Sequence, residues 1–145
     1  MILFSSELEF ELINKIKMNK LIIDVASEKI FLMIINSSNI YNITYENTKI
    51  NFEKLTIIIS DFLSTYNLKI TDINKIYVNK GPGSFAGIRN SLSIVKAFSV
   101  AKKIDYYCYS LDDFKGEINV SYENIPNLCD KFKIKKNLIN PIYLS

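Results

Sequence analysis

Two places in the sequence carry residue types that could do chemistry. One is Asp24, a carboxylate that closes the apolar run Leu21-Ile22-Ile23. The other is Gly81-Pro82-Gly83-Ser84-Phe85-Ala86-Gly87, which holds three of the four glycines of the chain and leads into Ile88-Arg89. A strand, a glycine turn and a helix start in succession set backbone N–H groups at the positive end of a helix, where an anion can sit. The spacing is not that of a P-loop, because Gly87 is followed by Ile88 and Arg89 rather than by Lys and Ser or Thr. It is not the dinucleotide fingerprint either, since Gly81, Gly83 and Gly87 stand one residue out of step. A tight turn that needs positive φ and a close helix approach uses the same glycines, so both readings stay open at this point. Arg89 is the sole arginine in a chain that otherwise uses lysine, which predicts a planar, forked contact to a carboxylate or to loop carbonyls.

Other chemistry is excluded. The chain has no histidine, which removes serine triads, Cys-His pairs, HExxH zinc sites and every His-based metal site. Cys108 and Cys129 are far apart and lack metal or redox spacing, so they read as two reduced thiols. No nucleophile has a base partner, which disfavours a peptidase. A small ATPase or kinase holding metal-phosphate with Asp24 and the glycine loop is the enzyme alternative. The net charge of +3 comes from lysines interleaved with acids and falls short of a basic stripe. A tRNA-binding module is therefore a third, weaker class.

The 145 residues make one domain's worth of chain, too short for two full lobes. Met1 to Met18 has only short apolar pieces around Glu7, Glu9 and Glu11, neither a signal peptide nor a membrane span, so a cytoplasmic protein is expected. Met18 reads as the natural first residue, with residues 1–17 an extension or a mis-called start. Leu21 to Val25, Ile30 to Ile35 and Ile40 to Tyr45 predict three strands in an antiparallel meander. Phe52, Leu55, Ile58, Ile59, Phe62, Leu63 and Tyr66 share one face of a helix from Asn51, its N-cap, to Tyr66, with Ile57 and Leu68 on the opposite side. Ile73 to Asn79 predicts a buried strand, Phe85 to Lys103 a second helix, and Tyr106 to Tyr109 a last strand. Leu111 to Phe114 begins something helical; Ile118 to Tyr122 predicts a strand, Ile125 to Phe132 a short helix opened by Pro126, and Asn140 to Ser145 an extended end. Alternation of this kind after a meander predicts an α/β fold with a mixed sheet and helices packed on it.

Lys80 to Arg89 resembles the Gly-Pro-Gly-Ser-Phe-Thr-Gly-Leu-Arg loop of the TsaB (YeaZ) family. Ile94 to Ala101 resembles that family's small-residue helix, Ile22-Ile23-Asp24 its first strand, Tyr106 to Asp112 a strand entering a Ser-Leu turn, and Pro141-Ile142-Tyr143-Leu144 its Pro-x-Tyr-Leu. The resemblance implies an actin-like (ASKHA, ribonuclease H-like) N-terminal lobe with a mixed five-stranded sheet over residues 18–115, and a remnant of the second lobe over residues 116–145. It implies a non-catalytic subunit that supports TsaD in transferring threonylcarbamoyl to N6 of adenosine 37 in tRNAs reading ANN codons. TsaE would join through the complex, tRNA would be reached only indirectly, and the chain would form a homodimer when alone. It implies no cofactor. The glycine loop would comprise Gly81, Pro82, Gly83, Ser84, Phe85, Gly87 and Arg89. The family's pairing helices put Ile57, Asp61, Gly87, Asn90, Ser91, Ile94 and Ala97 in the partner interface. Two departures weaken phosphate binding: Ala86 stands where the family has Thr, and Val25-Ala26 replace Thr-Ser after the first-strand Asp.

Overall fold

The computed structural model describes residues 18–37 and 39–142; the predicted extension over residues 1–17 and the motif residues Tyr143 and Leu144 lie outside them. Five strands form one mixed sheet: β1 (Lys20–Asp24), β2 (Lys29–Ile35), β3 (Ile40–Glu46), β4 (Lys75–Asn79) and β5 (Asp105–Tyr109), in the spatial order β3-β2-β1-β4-β5. The predicted meander pairs antiparallel, whereas β4 and β5 join β1 in parallel. Parallel neighbours need a crossover, and the two long helical segments supply them.

The predicted helix over 51–66 is two pieces, α1 (Lys49–Glu53) and α2 (Leu55–Thr65), broken at Lys54. Thr48, not Asn51, is the N-cap: its hydroxyl accepts the Asn51 N–H at 3.1 Å, and the Asn51 amide donates to the Glu46 carbonyl at 2.7 Å. A β-region Thr one turn earlier wins because it satisfies the orphan N–H first. The second helix, α3 (Phe85–Lys102), begins at Ser84 and ends on Lys103 in the left-handed region, with Lys102 in its last turn.

Period-two alternation sends β1 residues to opposite faces of the sheet. Leu21 and Ile23, with Ile76 and Val78 of β4, pack beneath Ile58, Phe62 and Leu63 of α2 and Ile88, Leu92 and Val95 of α3. Ile22, Met33 and Tyr77 face the other way, where Phe114 and the short helix α4 (Ile125–Lys131) cover them with Ile125, Leu128 and Cys129. Each such aliphatic side chain contributes roughly 1.5–3 kcal/mol when fully buried, so the tail closes a second core layer. Ile118 to Tyr122 is not the predicted strand. Asn119 takes its turn instead: its side chain accepts the Ser121 N–H at 3.2 Å and its carbonyl accepts the Asn124 amide at 2.8 Å. Among the described residues no helix is long and apolar enough to cross a membrane.

Candidate functional site

Asp24 lies at the end of β1 on the tail's side of the sheet, 4% exposed. Its Oδ1 accepts the Ala26 N–H at 3.0 Å, and its Oδ2 accepts the Asn79 amide at 3.1 Å and the Tyr122 hydroxyl at 2.8 Å. A carboxylate offers about four lone-pair sites, and three of them are taken by the protein's own donors. Burial, then the Asp24 charge, pushes the Tyr122 phenol well above its ordinary value, which keeps its proton in that bond. Asn79 relays the order onward, its Oδ1 accepting the Gly81 N–H at 2.9 Å. Asp24, Asn79, Tyr122 and the glycine loop thus form one chain of hydrogen bonds, buried at Asp24 and Asn79 and half-buried at Tyr122.

The loop is packed on backbone. Gly81 has φ +108°, and a Cβ there would stand 2.0 Å from the Ile142 carbonyl oxygen. A Cβ at Gly83 would stand 2.1 Å from the Ala26 carbonyl oxygen. Only glycine permits either approach. The loop's donors turn inward as well: Ser84 N–H reaches the Ala26 carbonyl at 3.3 Å, and Gly87 N–H reaches the Ser84 hydroxyl at 3.3 Å. Ala26, one of the two departures from the resemblance, is therefore the loop's seat. Of the two readings of the glycines, the tight turn with close approach accounts for these contacts.

Arg89 does not make the forked contact its uniqueness predicts. It is exposed, and its guanidinium lies 5.9 Å from the centre of the Phe85 ring, one turn back on α3. The helical period puts residues four apart on one surface, so the arginine covers an exposed aromatic and leaves the loop carbonyls alone.

The predicted interface residues separate into two groups. Ile57, Asp61 and Ala97 are exposed, and Asn90 and Ile94 are half-buried. Gly87 and Ser91 are inside the fold: Gly87 lies against Val25 and the Phe52 ring, and the Ser91 hydroxyl donates to the Ile88 carbonyl at 3.0 Å. Their small size serves the packing of α3 on its own sheet and on α1. Leu68 is also withdrawn, because α2 ends at Thr65 and the chain turns it back onto the core. Ile57 at 60%, Phe85 at 53% and Val100 at 72% exposure remain as large apolar side chains on the outward faces of α2 and α3. Phe85, which the helical period groups with Ile88, Leu92, Val95 and Phe98, is exposed in the first turn of α3, and Val100, which the residue types did not single out, lies off that stripe.

Cys108 and Cys129 are both free and buried, and burial pushes each thiol up to about 12. At neutral pH they are inert hydrophobes. Among the described residues no group of three or more Cys, Asp or Glu side chains is placed to hold a metal ion.

A family model described as TsaD, tRNA N6-adenosine threonylcarbamoyltransferase, matches residues 48–112, from the N-cap of α1 to the turn after β5. The tRNA threonylcarbamoyladenosine biosynthesis protein TsaB of Buchnera aphidicola subsp. Schizaphis graminum is 28% identical over 87 residues, 60% of this chain and 41% of that protein. The chain therefore spans less than half the length of this curated relative. Two solved structures, YeaZ from Pseudomonas aeruginosa and an uncharacterised protein with similarity to peptidase YeaZ from the same organism, each superpose with a TM-score of 0.60 at 17% identity. They cover 64% of this chain and 44% and 43% of their own chains, and they share its fold. The glycine loop, the strand order and the sequence relative agree in one resemblance, to the TsaB (YeaZ) family.

Proposed function

We propose that the chain is a non-catalytic partner subunit of a TsaD-type tRNA threonylcarbamoyltransferase, acting in the cytoplasm in the modification of adenosine 37. The observation that carries this reading is the contrast between a sealed Asp24 and open helical faces. The carboxylate that an actin-like ATPase would offer to metal-phosphate is occupied by Ala26, Asn79 and Tyr122. The outward sides of α2 and α3 expose Ile57, Phe85 and Val100 beside small residues such as Ala97. Apolar side chains on two helices that share one sheet face suit a helical partner. TsaD would dock there, TsaE would join the assembled pair, and two copies of this chain would use the same face when TsaD is absent. The test is reconstitution with TsaD, TsaE, ATP and the enzyme that makes threonylcarbamoyl-AMP. Modified tRNA is expected only when TsaD is present, and product formed by this chain without TsaD would refute the reading.

A further inference from the structure

Along the β5 edge of the sheet the fold gathers lysines that are far apart in sequence. Lys80 follows β4, and its side chain is only 12% exposed. Its ammonium group lies 3.3 Å from the Asn140 side-chain oxygen and 4.0 Å from Asp113. It lines a hollow of about 170 Å³ together with Lys133 and Lys135, so three lysines and one carboxylate, Asp113, share its wall. Lys131 and Lys136 flank it, paired to Glu117 and Asp105. Lys133 and Lys135 make no ion pair among the described residues.

The segment carrying them is anchored along its length. Phe132 and Ile134 anchor it on the second core layer, which turns the alternating lysines outward. Lys133 sits at φ +54°, and Ile134 N–H closes the end of α4 on the Cys129 carbonyl at 3.0 Å. Asn137 then clamps the chain to β5, its N–H donating to the Tyr106 carbonyl at 2.8 Å and its side-chain oxygen accepting the Tyr106 N–H at 3.0 Å. An anchored segment that carries Lys133 and Lys135, without ion pairs among the described residues, at the wall of a hollow suits an anion met from outside.

We propose that this hollow is a phosphate-binding site and that its occupant is a phosphodiester of the tRNA backbone. The assignment of the source rests on the tRNA reading above; the phosphate chemistry does not. Lysines act as point charges rather than as a fork, and an open rim suits a phosphate on a polymer, read for position and not for sequence. The site would therefore orient tRNA along the β5 edge of this chain.

The test is fluorescence anisotropy of labelled unmodified tRNA against the full chain over a series of salt concentrations. Lys133→Gln/Lys135→Gln is compared with the control pair Lys49→Gln/Lys54→Gln at α1. The first pair should weaken binding severalfold at low salt and reduce the slope of log K against log salt by about 1–2, with the control unchanged. Equal loss in both pairs, no loss in the first, or no tRNA binding by the parent chain overturns the proposal. Inorganic phosphate is titrated alongside by amide NMR. Shifts at Lys133 to Lys136 with inorganic phosphate and no tRNA binding would leave a small-anion site and overturn the tRNA assignment. Affinity for TsaD, measured on the same variants, should not change; that separates failure of this site from failure of the partner reading.

Discussion

The end of the sheet around Asp24 and the outward faces of α2 and α3 stand in contrast. At the first, nearly every polar group has an internal partner, and backbone stands where a Cβ of Gly81 or Gly83 would go. At the second, Ile57, Phe85 and Val100 are large apolar side chains more than half exposed. Residues that look like a nucleotide site are used to hold the fold together, and these exposed apolar side chains lie on helices. In an architecture where a carboxylate and a glycine turn come together at a strand end, what decides the use is whether the protein's own donors reach the carboxylate first.

The largest effect should follow from breaking the closed end at its tightest point. Gly83→Val places a side chain into the Ala26 carbonyl, 2.1 Å from where its Cβ must go. A loss of about 3 kcal/mol or more is expected, read as a fall in the urea midpoint. Unchanged stability would mean that the loop does not sit on the turn after β1.

Two tyrosines sharpen the comparison within the closed end. Tyr122→Phe removes a donor from Asp24 and should cost about 1.5–3 kcal/mol, the range for hydrogen bonds to a charged group. Tyr109 is fully buried and its hydroxyl has no hydrogen-bond partner among the described residues. Tyr109→Phe should therefore be neutral or stabilising, because the hydroxyl is already unsatisfied in the fold. If the two changes cost the same in thermal melts, the Asp24 bond is not what holds the tail.

The buried thiols give a pH test. Folding raises both from about 9 to about 12, so the stability they contribute is present below about 9 and is lost as pH rises toward about 12. At pH 8 iodoacetamide should label neither cysteine in the native chain and both in urea. Rapid native labelling would contradict their burial.

The smallest effect is expected at Arg89. Its contact is an exposed ring rather than a forked hydrogen bond, so Arg89→Lys should change stability by no more than about 0.5 kcal/mol. A larger loss in TsaD affinity with unchanged melting would place Phe85 and Arg89 in the interface.

How much of this was legible in the sequence differs by region. The five strands, their mixed pairing and both long helices follow from periodicities in Leu21 to Tyr109 that tertiary contacts reinforce. The break at Lys54 was not legible, since the apolar stripe runs through it and a cap one turn earlier decides the start. The glycine loop was legible as a loop and ambiguous in use, because the competing donors Ala26, Asn79 and Tyr122 reach Asp24 across gaps of up to 98 residues. Small residues on α3 read alike whether they meet a partner or the protein itself, and only burial separates Gly87 and Ser91 from Ala97. Overall charge hid the hollow around Lys80, although Lys131 to Lys136 carried a local signal in lysines alternating with Phe132 and Ile134.

If the chain works through its open helical face, Ile57 is the side chain that reports it. Ile57 is 60% exposed on α2, so Ile57→Glu should leave the melting curve of the isolated chain unchanged. Docking of TsaD over that position would bury the new carboxylate, at a cost of several kcal/mol. By calorimetry the affinity for TsaD should fall a hundredfold or more, with Lys54→Glu, at the break between α1 and α2, as the control. A folded Ile57→Glu chain that binds TsaD as tightly as its parent would contradict the account.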